Sequence, residues 1–280
     1  MSNTSSRNPP RLLRVRRTEQ LTPHMRRVWL SGDALSGFPT GSEGRHIKLM
    51  LARSGQAEPV LPTLGPDGPI WPPADVRPIT RTYTVAAYDE AAGELAVDLV
   101  LHGDNGPASR WINHAMEGDA IGVAGPAAPP LFRETADWYL LIGDPSSIPL
   151  LRAVLCALPA QAKGMALIEV PDQAEIQPLI GPAGVTIEWF DRQGAPAGDS
   201  TLLLDSLQRR QLPDGQPSVT LAGESNQVVA IRDWLLKVCQ VSRHMMYAVP
   251  YWKDRLTEEA YHHERHRIMD ELEETTASDA

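Results

Sequence analysis

Two stretches of this chain carry residue types that can do chemistry in the order they occur: Arg81-Thr82-Tyr83-Thr84, and the run from Asp98 through His102-Gly103-Asp104-Asn105-Gly106-Pro107-Ala108-Ser109 to Trp111. Side chains alternate along an extended segment, so Arg81 and Tyr83 share one face and Thr84 presents its hydroxyl on the other. A guanidinium neutralises a phosphate, and a phenol ring can cover a flat conjugated system. In the second stretch a strand ends at His102, Gly103, Gly106 and Pro107 force a turn, and small Ala108 and Ser109 begin a helix. The free amides and dipole of such a helix start favour an anion. Either piece alone is compatible with an ordinary strand or a capped strand–turn–helix. Together, a place for a ring and a place for a phosphate suit an anionic, flat, dinucleotide-like ligand such as a flavin.

The elements that must hold these residues differ between the two halves. In the first half, Arg11–Arg17, Met25–Leu30 and His46–Leu51 read as short strands between turn signals. Glu94–His102 alternates, with Leu95, Val97, Leu99 and Leu101 on one face and Asp98, Val100 and His102 on the other. Of the 25 prolines, seven fall between Pro59 and Pro78, a segment that cannot be a central strand or helix and reads as a long loop. Short antiparallel strands between Gly- and Pro-rich turns predict a small barrel. After Pro129-Pro130 the pattern changes. Trp138–Gly143 is an apolar run of the kind a parallel strand buried on both faces requires, followed by Asp144-Pro145-Ser146-Ser147 and a helix over Pro149–Leu158. Met165–Val170, Val185–Phe190 and Ser218–Gly223 repeat the strand pattern, the last leading through Glu224-Ser225 into a helix over Asn226–Cys239. Strands alternating with helices predict a parallel, doubly wound sheet. Thr257–Glu274 has helical composition, with Tyr261, Ile268, Met269 and Leu272 as its apolar stripe.

Composition narrows the function classes. The chain has 280 residues, enough for two domains, and its formal net charge of −9 argues against general nucleic-acid binding. No run approaches the roughly eighteen apolar residues of a membrane helix, and Met1–Pro10 lacks the apolar core of a signal peptide, so residence in the cytoplasm is the expectation. Cys156 and Cys239 have no CxxC partner and read as buried free thiols. His262 and His266 have a spacing that can chelate, but acidic and basic neighbours make a solvated helix face the simpler reading, and no metal is expected. The second half has no G-x-G-x-x-G. Gly143–Ser147 could still meet a phosphate as a strand–turn–helix, but the Asp144 carboxylate would repel one, so transient nicotinamide-nucleotide binding fits better than a permanently held cofactor.

From Arg11 to about residue 270 the sequence resembles the siderophore-interacting proteins, a branch of the ferredoxin-reductase-like flavoenzymes. The resemblance lies in His46-Ile47-Lys48-Leu49, the Arg-x-Tyr-Thr element, Asp98–Trp111, Gly118-Asp119 with Gly125-Pro126, and Leu141–Asp144 with Ile148-Pro149. Ala222-Gly223-Glu224, Tyr251-Trp252 and the terminal Glu-Glu-Ala-Tyr-His-His complete it. It implies an FAD-binding antiparallel β-barrel over residues 11–132, a parallel-sheet α/β domain of the NAD(P)H-binding type over 138–255, and a C-terminal helix and tail over 256–280. It assigns Arg81, Tyr83 and Thr84 to the flavin ring and ribityl region, with Val85 also among the FAD-binding residues. Asp98, Val100, His102, Gly106, Pro107, Ala108 and Ser109 fall to the remainder of FAD, with His102 and the Gly106–Ser109 turn on the pyrophosphate and adenosine side. Two positions depart from the family pattern. Ala86 stands where a second arginine is common, and Ala127-Ala128-Pro129-Pro130 replaces a stretch that often carries a basic residue.

The activity implied is FAD-dependent reduction of a ferric siderophore or other ferric chelate, with release of Fe(II). Electrons come from NADH or NADPH, with a reduced ferredoxin as another donor. A flavin suits this task because it accepts two electrons together and passes them on singly. Anionic chelates call for a basic pocket, for which Lys48, Arg243, Lys253 and Arg255 are the candidates. A general flavin-dependent electron carrier and a non-enzymatic siderophore-binding module are the competing readings. A monomer is expected.

Overall fold

The computed structural model describes residues 9–66, 68–101, 106–127 and 129–257, with 260, 261, 264, 265, 267 and 268 of the C-terminal stretch. His102, His262, His266, Met269, Leu272 and the tail after residue 270 lie outside the described residues, as does Ala128. The chain divides between Pro129 and Pro130 into two compact units. No described helix is long and apolar enough to cross a membrane.

The first unit is a closed antiparallel barrel of six strands in the order β1-β2-β7-β6-β3-β8. These are β1 (Arg11–Thr22), β2 (Met25–Ser31), β3 (His46–Leu51), β6 (Ile79–Asp89), β7 (Glu94–Val100) and β8 (Ala120–Ala124). Alternation builds it: Leu13, Val15, Val28, Leu30, Ile47, Leu49, Leu95, Val97, Ile121 and Val123 all point inward into one core. Helix α1 (Pro107–His114) lies between β7 and β8 and adds Ala108 and Ile112 to that core. The polar sequence Thr18–Thr22 conceals the second half of β1, which pairs with β2 through two register irregularities as the arm of a hairpin. The proline-rich segment contains no central strand, but two three-residue strands, β4 (Thr63–Gly65) and β5 (Gly68–Ile70), form a hairpin within it.

The second unit is a five-stranded parallel sheet in the order β11-β10-β9-β12-β13. Its strands are β9 (Trp138–Gly143), β10 (Lys163–Val170), β11 (Gly184–Asp191), β12 (Pro217–Glu224) and β13 (Met246–Trp252). Helices α2 (Ile148–Ala157), α3 (Leu202–Gln208) and α4 (Ser225–Lys237) flank them. All six residues of β9 and all eight of β12 are buried, as central parallel strands require. Strand order reverses between β9 and β12, so their carboxyl ends form the crevice where open α/β sheets bind ligands. Of the C-terminal stripe, Tyr261 and Ile268 are buried, and Tyr261 donates its hydroxyl proton to Ser225 Oγ at 2.9 Å. The cysteines are free thiols, but not both buried: Cys156 sits on the exposed side of α2, and Cys239 is half-buried.

Candidate functional site

The barrel opens where the sequence places its two motifs. The β6–β7 ladder runs from Asp89–Glu94 to Val85–Val97 and, among the described residues, stops there. Beyond that rung β6 remains paired with β3 to Ile79, and β7 with β2 to Val100. The same register would set Thr84 against Asp98 and Thr82 against Val100, and neither rung forms. Val85 donates its N–H to the Arg45 carbonyl and accepts from the Gly44 N–H, both at 2.9 Å. Antiparallel alternation therefore turns the peptide groups of Thr82 and Thr84 away from β3, toward the opening. Arg81–Thr84 and Asp98–Leu101 form its two lips.

Register also sorts the lip side chains. Arg81 lies opposite Leu49 and Tyr83 opposite Ile47, so both share the core-facing side of the sheet, and half-buried Tyr83 packs against the core. Thr82 lies opposite Lys48 and Thr84 opposite His46 on the outer side, where Lys48 Nζ donates to Thr82 Oγ1. The Asp98 carboxylate is wholly buried and accepts from Arg27 Nε at 2.6 Å and Arg27 Nη2 at 2.9 Å. Burial disfavours charge on Arg27, but its bonds and attraction to Asp98 outweigh that and raise its pKa. Asp98 thus anchors its lip through a cross-strand pair. The Val85 side chain is in the core and both its backbone groups bond the entry to β3, so it shapes the lip. Ala86 is buried at the irregularity in the β6–β7 register.

Helix α1 begins beside the second lip. Its N-cap is Gly106 in extended backbone, Pro107 occupies the first turn, and among the described residues no side chain caps its leading amides. At the other end Arg26 Nη1 donates to the Ile112 carbonyl at 3.0 Å, while Arg26 Nη2 donates to Thr18 Oγ1 at 2.9 Å. That cation fixes the helix by its C-terminus. Flat lips with outward peptide groups, plus an uncapped helix start, fit an anionic flavin nucleotide. The sequence carries no local signal for the parts played by Arg26 and Arg27, because each depends on pairing of distant segments.

The crevice of the second unit is finished differently. Asp144, at the end of β9, accepts from Ser146 N (2.9 Å) and Ser146 Oγ (2.5 Å) through Oδ1. Its Oδ2 accepts from Glu224 N (2.8 Å) and Trp252 Nε1 (2.7 Å). Glu224 turns its own carboxylate onto the start of α4, accepting from Asn226 N at 2.6 Å and Gln227 N at 3.2 Å. Glu169, at the end of β10, is held by Ser200 Oγ at 2.5 Å, Gln227 Nε2 at 3.0 Å and Arg192 Nε at 3.3 Å. Burial raises the pKa of all three carboxyls against the pull of their hydrogen bonds, and the Asp144 charge adds to the rise at Glu169 and Glu224. The basic candidates do not assemble here. Arg243 precedes β13, whereas Lys253 and Arg255 follow it, roughly 20 Å away along the strand. Lys253 pairs with Glu264 at 2.5 Å and Arg255 with Asp199 at 2.7 Å.

A six-stranded antiparallel barrel followed by a parallel β11-β10-β9-β12-β13 sheet defines the ferredoxin-reductase-like class. The ferredoxin reductase in carbazole 1,9a-dioxygenase has the same fold at 16% identity, with a TM-score of 0.62 over 87% of this chain and 69% of that one. Residues 14–130 match the family model for the siderophore-interacting FAD-binding domain, and residues 136–255 that for the siderophore-interacting protein. The chain belongs to the siderophore-interacting protein family. It is 36% identical over 273 residues to the ferric vibriobactin reductase ViuB of Vibrio cholerae, covering 97% of this chain and 99% of that protein. To the NADPH-dependent ferric-chelate reductase of Escherichia coli it is 32% identical over 245 residues, 86% and 92% of the two. The crystal structure of the siderophore-interacting protein SipS from Aeromonas hydrophila superposes with a TM-score of 0.82 at 38% identity, over 94% of this chain and 99% of that one.

Proposed function

We propose that this chain is an FAD-dependent ferric-siderophore reductase, taking electrons from NADH or NADPH and reducing iron in a ferric siderophore or other ferric chelate. The observation that carries the flavin assignment is the interrupted β6–β7 ladder next to the start of α1, which no side chain caps among the described residues. In this reading the Arg81 guanidinium meets a phosphate, Tyr83 lies against the ring system, and Thr84 offers its hydroxyl and peptide group at the ring edge. Val100 lines the second lip and Asp98 holds it in place. His102 and the Gly106-Pro107-Ala108-Ser109 turn take the pyrophosphate and adenosine side. When bound, the flavin supplies the conversion of a hydride into single electrons, which is what Fe(III) can accept.

The residues that receive the chelate must add positive charge near the ring edge. Lys48 is on the same outer face as Thr84 and two rungs away, so it is the chosen cation. Reduction of iron lowers its charge and weakens its hold on anionic oxygen ligands, which frees Fe(II). Like its proposed substrate site, the protein's cytoplasmic location and its action as a monomer are part of this proposal. The test uses one purified preparation. A flavin absorption spectrum survives desalting, and anaerobically reduced protein is reoxidised by a ferric siderophore with Fe(II) captured by a chromogenic chelator. A protein that takes up no FAD when it is supplied refutes the proposal; one reoxidised only by artificial acceptors is a general electron carrier.

A further inference from the structure

We infer that the sheet crevice of the second unit does not seat the adenylate and pyrophosphate of a pyridine nucleotide. Hydride donors are recognised by their dihydronicotinamide end alone, so donors without an adenylate serve about as well. The inference rests on the proposed role of NADH or NADPH as donor and specifies which part of it matters.

A pyrophosphate at a strand-order reversal needs three things: free amides at a helix start, room left by glycine, and no opposing charge. Here each is used internally. The turn leading into α2 gives the N–H and hydroxyl of Ser146 to Asp144, and the first amides of α4 go to Glu224. The two glycines that end β9 and β12 leave no room: a Cβ at Gly143 would stand 1.9 Å from Ser147 Oγ, and one at Gly223 would stand 2.7 Å from Asp144 Oδ2. Space that glycine opens for a phosphate elsewhere is here filled by the chain's own hydroxyl and carboxylate. Asp144 and Glu224 also set two carboxyl groups side by side where the phosphates would lie, with a third, Glu169, at the end of the next strand. The redox step is unaffected, since the dihydronicotinamide gives up a hydride with its two electrons and leaves as a pyridinium.

The experiment has a binding arm and a reduction arm, both on the FAD-loaded full chain. ADP-ribose and 2′-phospho-ADP-ribose, which keep the adenylate and pyrophosphate but lack nicotinamide, are titrated by calorimetry. The expected dissociation constants are above about 1 mM for both. Micromolar binding that Glu224→Lys alters by tenfold or more, in either direction, overturns the inference. In stopped flow, reduced nicotinamide mononucleotide should reduce the bound flavin with kcat/KM within about threefold of NADH and NADPH. A preference of about a hundredfold for the intact dinucleotides overturns it. Glu224→Gly releases the α4 amides and removes a charge, and in flavin-retaining protein it should tighten ADP-ribose binding at least about tenfold; a folded variant with no gain counts against the inference. Should Glu224→Gly not fold, the wild-type titration decides. If no dihydronicotinamide reduces the flavin while a ferric chelate reoxidises dithionite-reduced protein, the donor assignment in the proposed function fails, and the titration still judges the crevice.

Discussion

Helix α1, after the barrel strand β7, starts under conditions opposite to those of helix α4, after β12, and of the turn that follows β9 into α2. Gly106 gives α1 no side chain with which to satisfy its own amides, and the far end of the helix is fixed by Arg26. The turn into α2 and the start of α4 are closed by Asp144 and Glu224, carboxylates buried to within 5% and 1% of full exclusion from solvent. A capping carboxylate stabilises a helix by about 1 kcal/mol and removes the same amides from any ligand. Among the described residues, the barrel thus leaves local stability unclaimed at a helix start where an anion can supply it. The α/β unit has made itself stable without one. In a flavin reductase this is the division expected between a unit that keeps its cofactor and one that meets a donor briefly.

The sharpest way to break the contrast is to give α1 the cap that α4 has. A Cβ at Gly106 would meet nothing within 4 Å among the described residues, and its backbone is in the extended region any residue adopts. Gly106→Asp should therefore fold, and gain up to about 1 kcal/mol in flavin-free protein. It should also weaken FAD about a hundredfold, or about 2.7 kcal/mol, through charge repulsion and loss of the amides. Flavin retained after gel filtration and the melting temperature of stripped protein check both halves. Loss of folding together with loss of flavin would undo the comparison.

On the other side of the contrast, Asp144→Ala removes the acceptor of four hydrogen bonds from β12, β13 and the α2 turn. Leaving the buried Glu224 amide and Trp252 indole N–H without it should cost about 2–4 kcal/mol. Denaturant unfolding measures this, and flavin bound by the barrel should persist at denaturant concentrations where the second unit has melted. Equal losses in both units would mean that Asp144 is not a local tie.

How much of this was readable beforehand follows the range of the interactions. Alternation in Glu94–Val100 and the apolar runs at β9 and β12 are local patterns, so the barrel and the parallel sheet were legible. So were Arg81, Tyr83, Thr84 and the Gly106–Ser109 helix start, as residue types in order. The interrupted ladder was not, because pairing Thr84 with Asp98 is a question about two distant strands. Nor was the capture of Asp98 by Arg27, which depends on β2 lying beside β7. Asp144 was legible as a charge opposed to phosphate; that it would be consumed by Trp252 and Glu224 depended on the strand order. The burial of the Val85 side chain in the barrel core with both backbone groups paired was not legible either, because that depends on the approach of the segment leading into β3.

Lys48 offers a smaller effect that separates substrate from cofactor. Its ammonium bonds Thr82 Oγ1 on the outer face of the first lip and adds positive charge there. Lys48→Ala should raise KM for an anionic ferric chelate about fivefold and leave bound FAD unchanged, and the difference should shrink in high salt. Unaltered kinetics with such a chelate removes Lys48 from the substrate site.

The smallest effect is one of pH, and it contrasts two buried aspartates. Asp98 is held by a cation, whereas Asp144 is held by neutral donors, so burial raises the Asp144 carboxyl and, with it, Glu169 and Glu224. The groups facing this cluster are Arg192 on Glu169 and the neutral donors of Ser146, Ser200, Asn226, Gln227, Trp252 and the Asp254 backbone amide. A carboxyl whose native pKa is raised binds its proton more tightly folded than unfolded. From the ordinary carboxylate value near 4 up through the raised native values, the folded state therefore holds more protons, and stability falls as pH rises. Pairs such as Glu188 with Arg210, whose carboxyl is lowered chiefly by its bonds to that guanidinium, act in the opposite sense and lose stability only as pH falls below that value. The Trp252 indole N–H resonance, bonded to Asp144 Oδ2, should shift in that upper window and report the titration directly. Glu224→Gln should flatten part of the stability slope without moving flavin binding. A Trp252 signal that moves only below pH 4 would mean that burial does not raise the Asp144 carboxyl, and the contrast between the two units would then lie in geometry alone.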